Sequence, residues 1–317
     1  MTARRGYLSG TIRGMWKKMG WSQRAAILGG YIMLYAIAVA AMIAITDVVP
    51  AYIAISAGAL YLLSHVFRAM RLAALSVDAL KLSGRTTAAM HFATIPFALL
   101  LPFKLGEVVR FFALYKMGGK ASYAVIVLLL DRMFDSLFLV PIVAFLALKS
   151  EVPLALGVFT ILAATVPLAV VFVGPRLLSE VQSYIVSNHA SPVSLRSLRK
   201  IDVARRLVVH AAQVARRQAP QLCVLSLLIW LCELLVCMIL VINSAEIFQD
   251  ALDLLGSRLV VFWASDTMSP ILSIAVSITL VSQLLLWPGM TLFFLDRLKH
   301  EQHQSRSVDH KPRNYVE

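Results

Sequence analysis

The most constraining feature of this sequence is an apolar stretch of membrane-spanning length, residues 122–148, with three charged side chains near its middle. At about 1.5 Å per helical residue, Asp131 lies roughly 13 Å and Asp135 roughly 20 Å from the start of the stretch, around the centre of a hydrocarbon layer about 30 Å thick. Each such charge costs on the order of 3 kcal/mol to insert, so these side chains must face protein, water or a polar ligand. Arg132 and Asp135 share a helix face, so an internal ion pair is the structural alternative to a functional site.

The composition is that of an integral membrane protein, with 59% hydrophobic residues and a mean hydropathy of +0.78. The net charge is +13, and the Lys and Arg residues responsible for it lie mostly between the apolar stretches, where they set topology and contact anionic headgroups. It therefore does not indicate nucleic-acid binding. Cys223, Cys232 and Cys237 lie in one apolar stretch and show neither disulfide nor metal-binding spacing.

The basic residues predict the topology, because cytoplasmic loops carry the excess of Lys and Arg. We expect a cytoplasmic N-terminus at 1–24, a transmembrane domain at 25–295 with a basic cytoplasmic loop at 174–220, and a cytoplasmic tail at 296–317. The N-terminal segment has no cleavage pattern and is expected to be retained. The candidate spans are 25–45, 49–67, 122–148, 152–173, 221–245 and 269–295. The predicted fold is thus an all-α, polytopic membrane helical bundle with about six full spans.

Two shorter apolar stretches, 88–103 and 251–265, predict segments that dip into the membrane and return. If 88–103 crossed, the basic residues of 104–120 would lie outside, against the charge rule, and Pro96 and Pro102 disfavour a continuous helix. A dip of this kind must be buried in protein or line a wet cavity, so we expect it to form a cavity wall. Dips from opposite faces are typical of an inverted repeat around a midplane site, although the two halves share no sequence identity.

Within the basic loop, the stretch 194–218 interleaves apolar residues with arginines. This pattern predicts either a helix lying on the inner leaflet or a helix packed on the cytoplasmic ends of the bundle.

Two motifs carry a family resemblance: residues 101–110 read LPFKLGEVVR and residues 129–137 read LLDRMFDSL. They resemble the hallmark segments of the family built on the transmembrane region of lysylphosphatidylglycerol synthases, a group of flippase-like membrane proteins. The matching residues are Pro102, Lys104, Gly106, Glu107 and Arg110, then Asp131, Arg132 and Asp135. Further resemblance lies in RAMRL, with Arg68 and Arg71, and in LLIWLCELL, with Trp230 and Glu233. Lys104 stands where the family usually has Arg, and Asp131 where it has Glu.

The resemblance covers residues 25–295 and implies a protein that moves lipids across the bilayer. Some family members also carry a soluble aminoacyl-transferase domain. This sequence ends in a short charged tail, so the expectation is a stand-alone translocase and not an enzyme.

The candidate substrate-binding residues are Arg68, Arg71, Lys104, Gly106, Glu107, Arg110, Asp131, Arg132, Asp135 and Glu233. A helix beginning near Leu105 would direct its positive end and free N–H groups into the membrane, where they favour an anion. Gly106 allows the backbone to turn there. Arg110 offers a planar fork for phosphate, while Arg68 and Arg71 would recruit a headgroup at the inner surface.

The carboxylates of this set balance the cations or carry a coupling proton, and Glu233 is expected to be a separate membrane carboxylate and proton-relay candidate. The alternative is a static salt-bridge network that only locks the helices together. His91 is expected to be a packed helix residue and not a metal ligand, since no second His lies at ligand spacing.

These features predict an inner-membrane translocase for an anionic, phosphate-bearing lipid or a polyprenyl-phosphate-linked carrier. One alternative is a non-transporting subunit that scaffolds a complex for envelope lipid or polysaccharide biosynthesis. A less favoured one is a membrane-embedded transferase that uses Asp131 or Asp135 as base. The sequence contains no nucleophile elbow, phosphate-cradling glycine loop or His–Glu metal motif, so no catalytic residue, metal or cofactor is expected.

Overall fold

The computed structural model describes residues 49–100, 105–148, 154–188, 192–260 and 274–284, with single positions at 33, 36, 40, 271, 272 and 287. Within these residues all regular secondary structure is helical, which confirms the predicted all-α fold. The helices are α1 (Ala51–Leu80), α2 (Gly84–Leu100), α3 (Leu105–Gly118), α4 (Ala121–Leu148), α5 (Leu154–Phe172), α6 (Gly174–Asn188), α7 (Pro192–Leu240), α8 (Ile247–Val260) and α9 (Ile274–Leu284). The terminal regions 1–24 and 296–317, and nearly all of the predicted span 25–45, lie outside the described residues.

Two described helices, α1 and the Arg196–Leu240 part of α7, are long and apolar enough to cross a bilayer. A third candidate is the pair Ala164–Phe172 and Gly174–Asn188, which is bent by 53°. The 28 residues of α4 are also long enough, but they carry charged groups in mid-helix. The number of full spans stays a prediction.

Helix α1 does not end at residue 67, where the predicted span ended, but continues to Leu80. Its second half keeps an apolar face, with Leu72 and Leu75 at most 1% exposed, so packing sustains the helix beyond the two arginines. The helix ends where Lys81 adopts the left-handed conformation (φ 56°) and donates its N–H to the carbonyl of Ser76.

Helices α2 and α3 form a hairpin whose two open ends lie beside the C-terminal end of α1. A Cβ added to Gly84, at the start of α2, would lie 3.8 Å from Val77. A Cβ added to Gly118, at the end of α3, would lie 2.6 Å from Leu80. The chain therefore enters and leaves the hairpin at the same end of α1. This is the path predicted for a segment that dips into the membrane and returns.

Proline 96 does not interrupt this hairpin, contrary to expectation, because α2 is helical through to Leu100. A proline removes one backbone hydrogen bond, and α2 tolerates that loss. Pro102 and Lys104 lie outside the described residues.

Helix α7 is a single helix of 49 residues, about 73 Å along its axis, and contains both 194–218 and most of 221–245. The helix passes through Pro220, so the expectation of a separate helix lying on the inner leaflet is wrong. The second alternative describes the structure better. Ala215 is buried together with Leu114 of α3 in the apolar core that surrounds α1 and α4.

The other predicted dip falls on α8, which packs against the C-terminal part of α7. Ala251 and Leu254 are buried with Cys237 in one apolar cluster. Residues 261–270 lie outside the described part of the chain, so whether this segment dips or crosses stays a prediction.

Candidate functional site

Eight charged side chains from four helices converge inside the bundle and form what we call the ion cluster. Its members are Arg68 and Arg71 of α1, Glu107 and Arg110 of α3, Asp131, Arg132 and Asp135 of α4, and Glu233 of α7. All are residues that the sequence predicted for the site. Of the remaining two, Gly106 is buried in the first turn of α3, directly before Glu107, and Lys104 lies outside the described residues. The described part of α3 starts at Leu105.

Arg71 occupies the centre of the ion cluster, with a side chain that is 1% exposed. Its Nε donates a hydrogen bond to Asp131 Oδ1 at 2.8 Å. Its Nη1 donates to Asp135 Oδ1 and to Ser226 Oγ, both at 2.9 Å. The expectation that Arg71 lies at the inner surface is therefore wrong, because this guanidinium group is enclosed by protein on α4 and α7.

Arg68 lies one turn along α1 and links α4 to α7. Its Nη1 contacts Asp135 Oδ2 at 3.5 Å and its Nη2 contacts Glu233 Oε1 at 3.3 Å. Ser64 Oγ donates to the same Glu233 oxygen at 3.1 Å. Glu233 is thus part of the cluster and not the separate carboxylate that the sequence suggested.

The opposite side of the cluster is open, because the Arg132 side chain is 44% exposed and that of Glu107 is 28% exposed. These two side chains form an ion pair, and Arg132 Nη1 also contacts Asp135 Oδ2 at 3.3 Å. Arg110 lies behind them, with Nη1 at 3.3 Å from Glu107 Oε1 and 3.8 Å from Asp131 Oδ2. The buried Nε of Arg110 has no hydrogen-bond partner among the described residues.

The ion cluster lies deep along the helices that carry it. Counted from the C-terminal end of α1, Arg71 lies about 14 Å along the axis. Counted from the N-terminal end of α4, which lies near that end of α1, Asp131 and Asp135 lie about 15 and 21 Å along. Those distances correspond to the middle of a hydrocarbon layer about 30 Å thick.

Helical spacing explains why the charges meet. Glu107 and Arg110 are three residues apart, and Asp131 and Asp135 are four apart, so each pair shares a face. Side chains that carry charge at this depth are tolerated because each one has an oppositely charged partner.

Two polar residues of α7, Ser226 and Trp230, complete the site. The sequence did not predict this role for them. Ser226 binds Arg71, and Trp230 Nε1 donates to the backbone carbonyl of Asp135 at 3.2 Å. Trp230 follows Ser226 by four residues and Glu233 follows it by seven, so all three lie on one face of α7. This i, i+4, i+7 spacing is the sequence pattern that indicates a shared polar face. The family motif includes Trp230 but not Ser226.

The described residues contain no group of three or more His, Cys, Asp or Glu side chains that could hold a metal ion. The chemistry that the ion cluster offers is instead charge pairing and bidentate hydrogen bonding by guanidinium groups, which suit carboxylate and phosphate oxygens.

The sequence matches the family model for the lysylphosphatidylglycerol synthase TM region over residues 24–291. No curated protein and no solved structure gives a significant match. The matched range contains every residue of the ion cluster and most of the chain. The chain therefore belongs to the family of the lysylphosphatidylglycerol synthase transmembrane region.

Proposed function

We propose that this protein is a lipid translocase and not an enzyme. Its cargo is an anionic, phosphate-bearing lipid or a polyprenyl-phosphate-linked carrier, moved between the leaflets of the bacterial inner membrane. The observation that carries this proposal is the ion cluster: four guanidinium groups at mid-bundle depth, closed by protein on one side and open at Arg132 on the other.

A charged headgroup that crosses the hydrocarbon layer unaided loses its hydration, at a cost of several kcal/mol or more. Fixed guanidinium groups along the path lower that barrier, provided that something balances them when the site is empty. In this cluster the carboxylates provide the balance. Glu107 holds the exposed Arg132 and the buried Arg110, so an arriving phosphate would exchange with a carboxylate that already occupies the anion position.

The two sides of the cluster have separate tasks in this proposal. Arg71, fixed by Asp131 and Asp135, keeps α1 and α4 in register. Arg132 and Arg110 contact the headgroup, and Arg110 has an unused Nε–H donor for it. The first described N–H groups of α3 lie in the same helical turn as Glu107 and add to the positive potential there.

A second candidate function is that of a non-transporting scaffold. The observation that favours it is that every carboxylate of the cluster already contacts an arginine, so the cluster can hold four helices together without a ligand. A scaffold, however, has no need for the exposure of Arg132.

The test is lipid exchange in proteoliposomes that contain headgroup-labelled lipids, with phosphatidylglycerol and a polyprenyl phosphate as anionic probes and phosphatidylcholine as the neutral one. We expect the wild type to move an anionic lipid faster than empty liposomes do. Arg132→Gln should slow this by about tenfold or more, the effect of losing a charged hydrogen bond worth about 1.5–3 kcal/mol. Arg176→Gln is the matched control, since Arg176 is 86% exposed and its ion pair among the described residues is a local one, with Glu180 on α6.

If the wild type moves no anionic lipid faster than empty liposomes, the translocase proposal fails and the scaffold takes its place. If Asp135→Asn exchanges lipid at the wild-type rate, translocation stands, but Asp135 has no part in it.

A further inference from the structure

A second polar group, which we call the histidine cluster, lies beside the ion cluster between α1, α2 and α9. It consists of Tyr61, His65, His91 and Gln283, whose exposures are 6%, 8%, 2% and 6%. His65 precedes Arg68 by three residues, so the two share a face of α1 and lie about 4.5 Å apart along its axis. The histidine cluster therefore adjoins the ion cluster directly.

Gln283 joins Tyr61 to His65 within this cluster. Its Nε2 donates to the Tyr61 hydroxyl at 2.5 Å and lies 3.1 Å from His65 Nε2. An amide NH2 group can only donate, so this orientation of Gln283 suits a His65 whose Nε2 carries no proton.

The same side chain can serve the protonated imidazole. Gln283 Oε1 is buried without a hydrogen-bond partner among the described residues. Rotating the amide by about 180° exchanges Oε1 and Nε2, which differ little in size. Oε1 would then accept from Nε2–H of a protonated His65 and from the Tyr61 hydroxyl. The cluster can thus accept a proton with no movement of a helix.

His91 is a second imidazole that can bind a proton. Its ring lies 5.8 Å from that of His65, between centroids. Neither of its ring nitrogens has a hydrogen-bond partner among the described residues, although the side chain is 2% exposed. Buried polar atoms normally have partners. Two imidazolium rings at this distance would repel each other, so the pair takes one proton and not two.

The charged groups that face the pair come from the ion cluster. Arg110 of α3 and Arg68 and Arg71 of α1 act electrostatically on His91. Helix α7 contributes Glu233, which reaches Ser64 beside His65. Helix α4 contributes the carboxylates Asp131 and Asp135, which contact the same arginines, and α9 contributes the neutral Gln283. The charge that the histidines experience therefore depends on how completely these arginines are neutralised.

We propose that the histidine cluster binds one proton in step with the binding of an anionic headgroup at the ion cluster, so that the protein carries lipid anion and proton together. This inference rests on the proposed function. A phosphate that contacts Arg110 and its neighbours cancels positive charge next to the histidines, and a proton on His91 or His65 then meets less repulsion. By reciprocity, the proton strengthens headgroup binding by the same factor. The proton comes from water and returns to water when the headgroup leaves.

The test uses the full-length protein in detergent with short-chain phosphatidylglycerol, whose phosphodiester does not titrate between pH 5.5 and 7.5. Calorimetry in two buffers of different ionisation enthalpy measures both the dissociation constant and the protons taken up. We expect the wild type to take up, on average between pH 5.5 and 7.5, about one-third of a proton or more per lipid, and correspondingly to bind about fivefold or more tightly at pH 5.5 than at pH 7.5.

His91→Gln and His65→Gln should each abolish or greatly reduce this proton uptake. His210→Gln should retain it, because His210 lies on α7 against Tyr123 and outside both clusters. Binding without proton uptake in the wild type overturns this inference and leaves the translocase proposal standing. Absence of phosphatidylglycerol binding at both pH values counts against both. The wild-type measurement needs no variant, so a misfolded variant does not decide the outcome.

Discussion

Arg71 and Arg132 lie in the same cluster and contact the same two aspartates, Asp131 and Asp135, yet their surroundings differ. The Arg71 side chain is 1% exposed and its remaining contact is the neutral Ser226. The Arg132 side chain is 44% exposed and its remaining contact is a glutamate that is itself partly exposed. A guanidinium group that is enclosed by protein depends on its protein partners, whereas a partly exposed one can exchange them for a ligand.

Arg71 and Arg132 differ in what can replace a contact that is lost. Removing one partner of a buried pair leaves an uncompensated charge and costs about 3–5 kcal/mol. Removing one partner of an exposed pair costs about 1 kcal/mol or less where water can take the vacant place. We therefore expect the closed side of the ion cluster to determine stability and the open side to determine ligand binding.

The largest effect is expected for Arg71→Gln, which leaves Asp131 and Asp135 short of a buried countercharge. The free energy of unfolding should fall by about 3–5 kcal/mol. Reversible unfolding in mixed detergent micelles, followed by circular dichroism, measures this. Arg176→Gln on α6 is the control and should unfold as the wild type does. A loss below about 1 kcal/mol for Arg71→Gln would contradict the division into a closed and an open side.

A smaller effect is expected for Ser226→Ala, which keeps every charge and removes one hydrogen bond to Arg71. Hydrogen bonds to charged groups contribute about 1.5–3 kcal/mol, so the loss should lie in or below that range in the same unfolding experiment. Ser183→Ala is the matched control, because that hydroxyl is exposed and bonds only the Ser179 carbonyl of its own helix. Equal stability of the two variants would mean that Arg71 does not depend on α7.

Arg132→Gln should weaken lipid binding strongly while it lowers stability only slightly. We expect a stability loss of about 1 kcal/mol or less, together with about tenfold or more weaker binding of phosphatidylglycerol. Arg132→Lys keeps the charge but loses the planar fork, so its binding should be intermediate. If Arg132→Gln destabilises the protein as much as Arg71→Gln, exposure does not separate the two roles.

The smallest effect is expected for Asp78→Asn, outside the ion cluster. Asp78 pairs with Arg217, which is 75% exposed, and with Lys81, which is 80% exposed. Pairs of this kind contribute about 0–1 kcal/mol, so stability and lipid binding should both stay close to wild type. A clear loss of lipid exchange in this variant would extend the functional region to the C-terminal end of α1.

The sequence predicted the parts of the site whose geometry is local. The shared faces of the charged residues of α4 and of the pair Glu107 and Arg110 follow from helical spacing. These features depend on neighbours within one or two turns, so the amino-acid order is enough to locate them.

The burial of Arg71 could not be predicted in the same way, because its partners lie 60 and 64 residues away on another helix. A hydropathy profile reads an arginine as the end of a span, and so the predicted span stopped at residue 67. The continuity of α7 through Pro220 could not be predicted either, because it also depends on packing against distant residues. Its arginine-rich half resembles a loop until the packing of Ala215 against the bundle is known.

The described members of the ion cluster are four guanidinium groups and four carboxylates, which together carry no net charge when all are ionised. Membrane voltage does work only on net charge that moves, about 2.3 kcal/mol per elementary charge per 100 mV. A singly charged headgroup that crosses alone carries electrical current and is driven outward by an interior-negative potential. The same headgroup crossing with a proton carries none. Any voltage dependence of transport should therefore originate in the cargo and not in the resting protein.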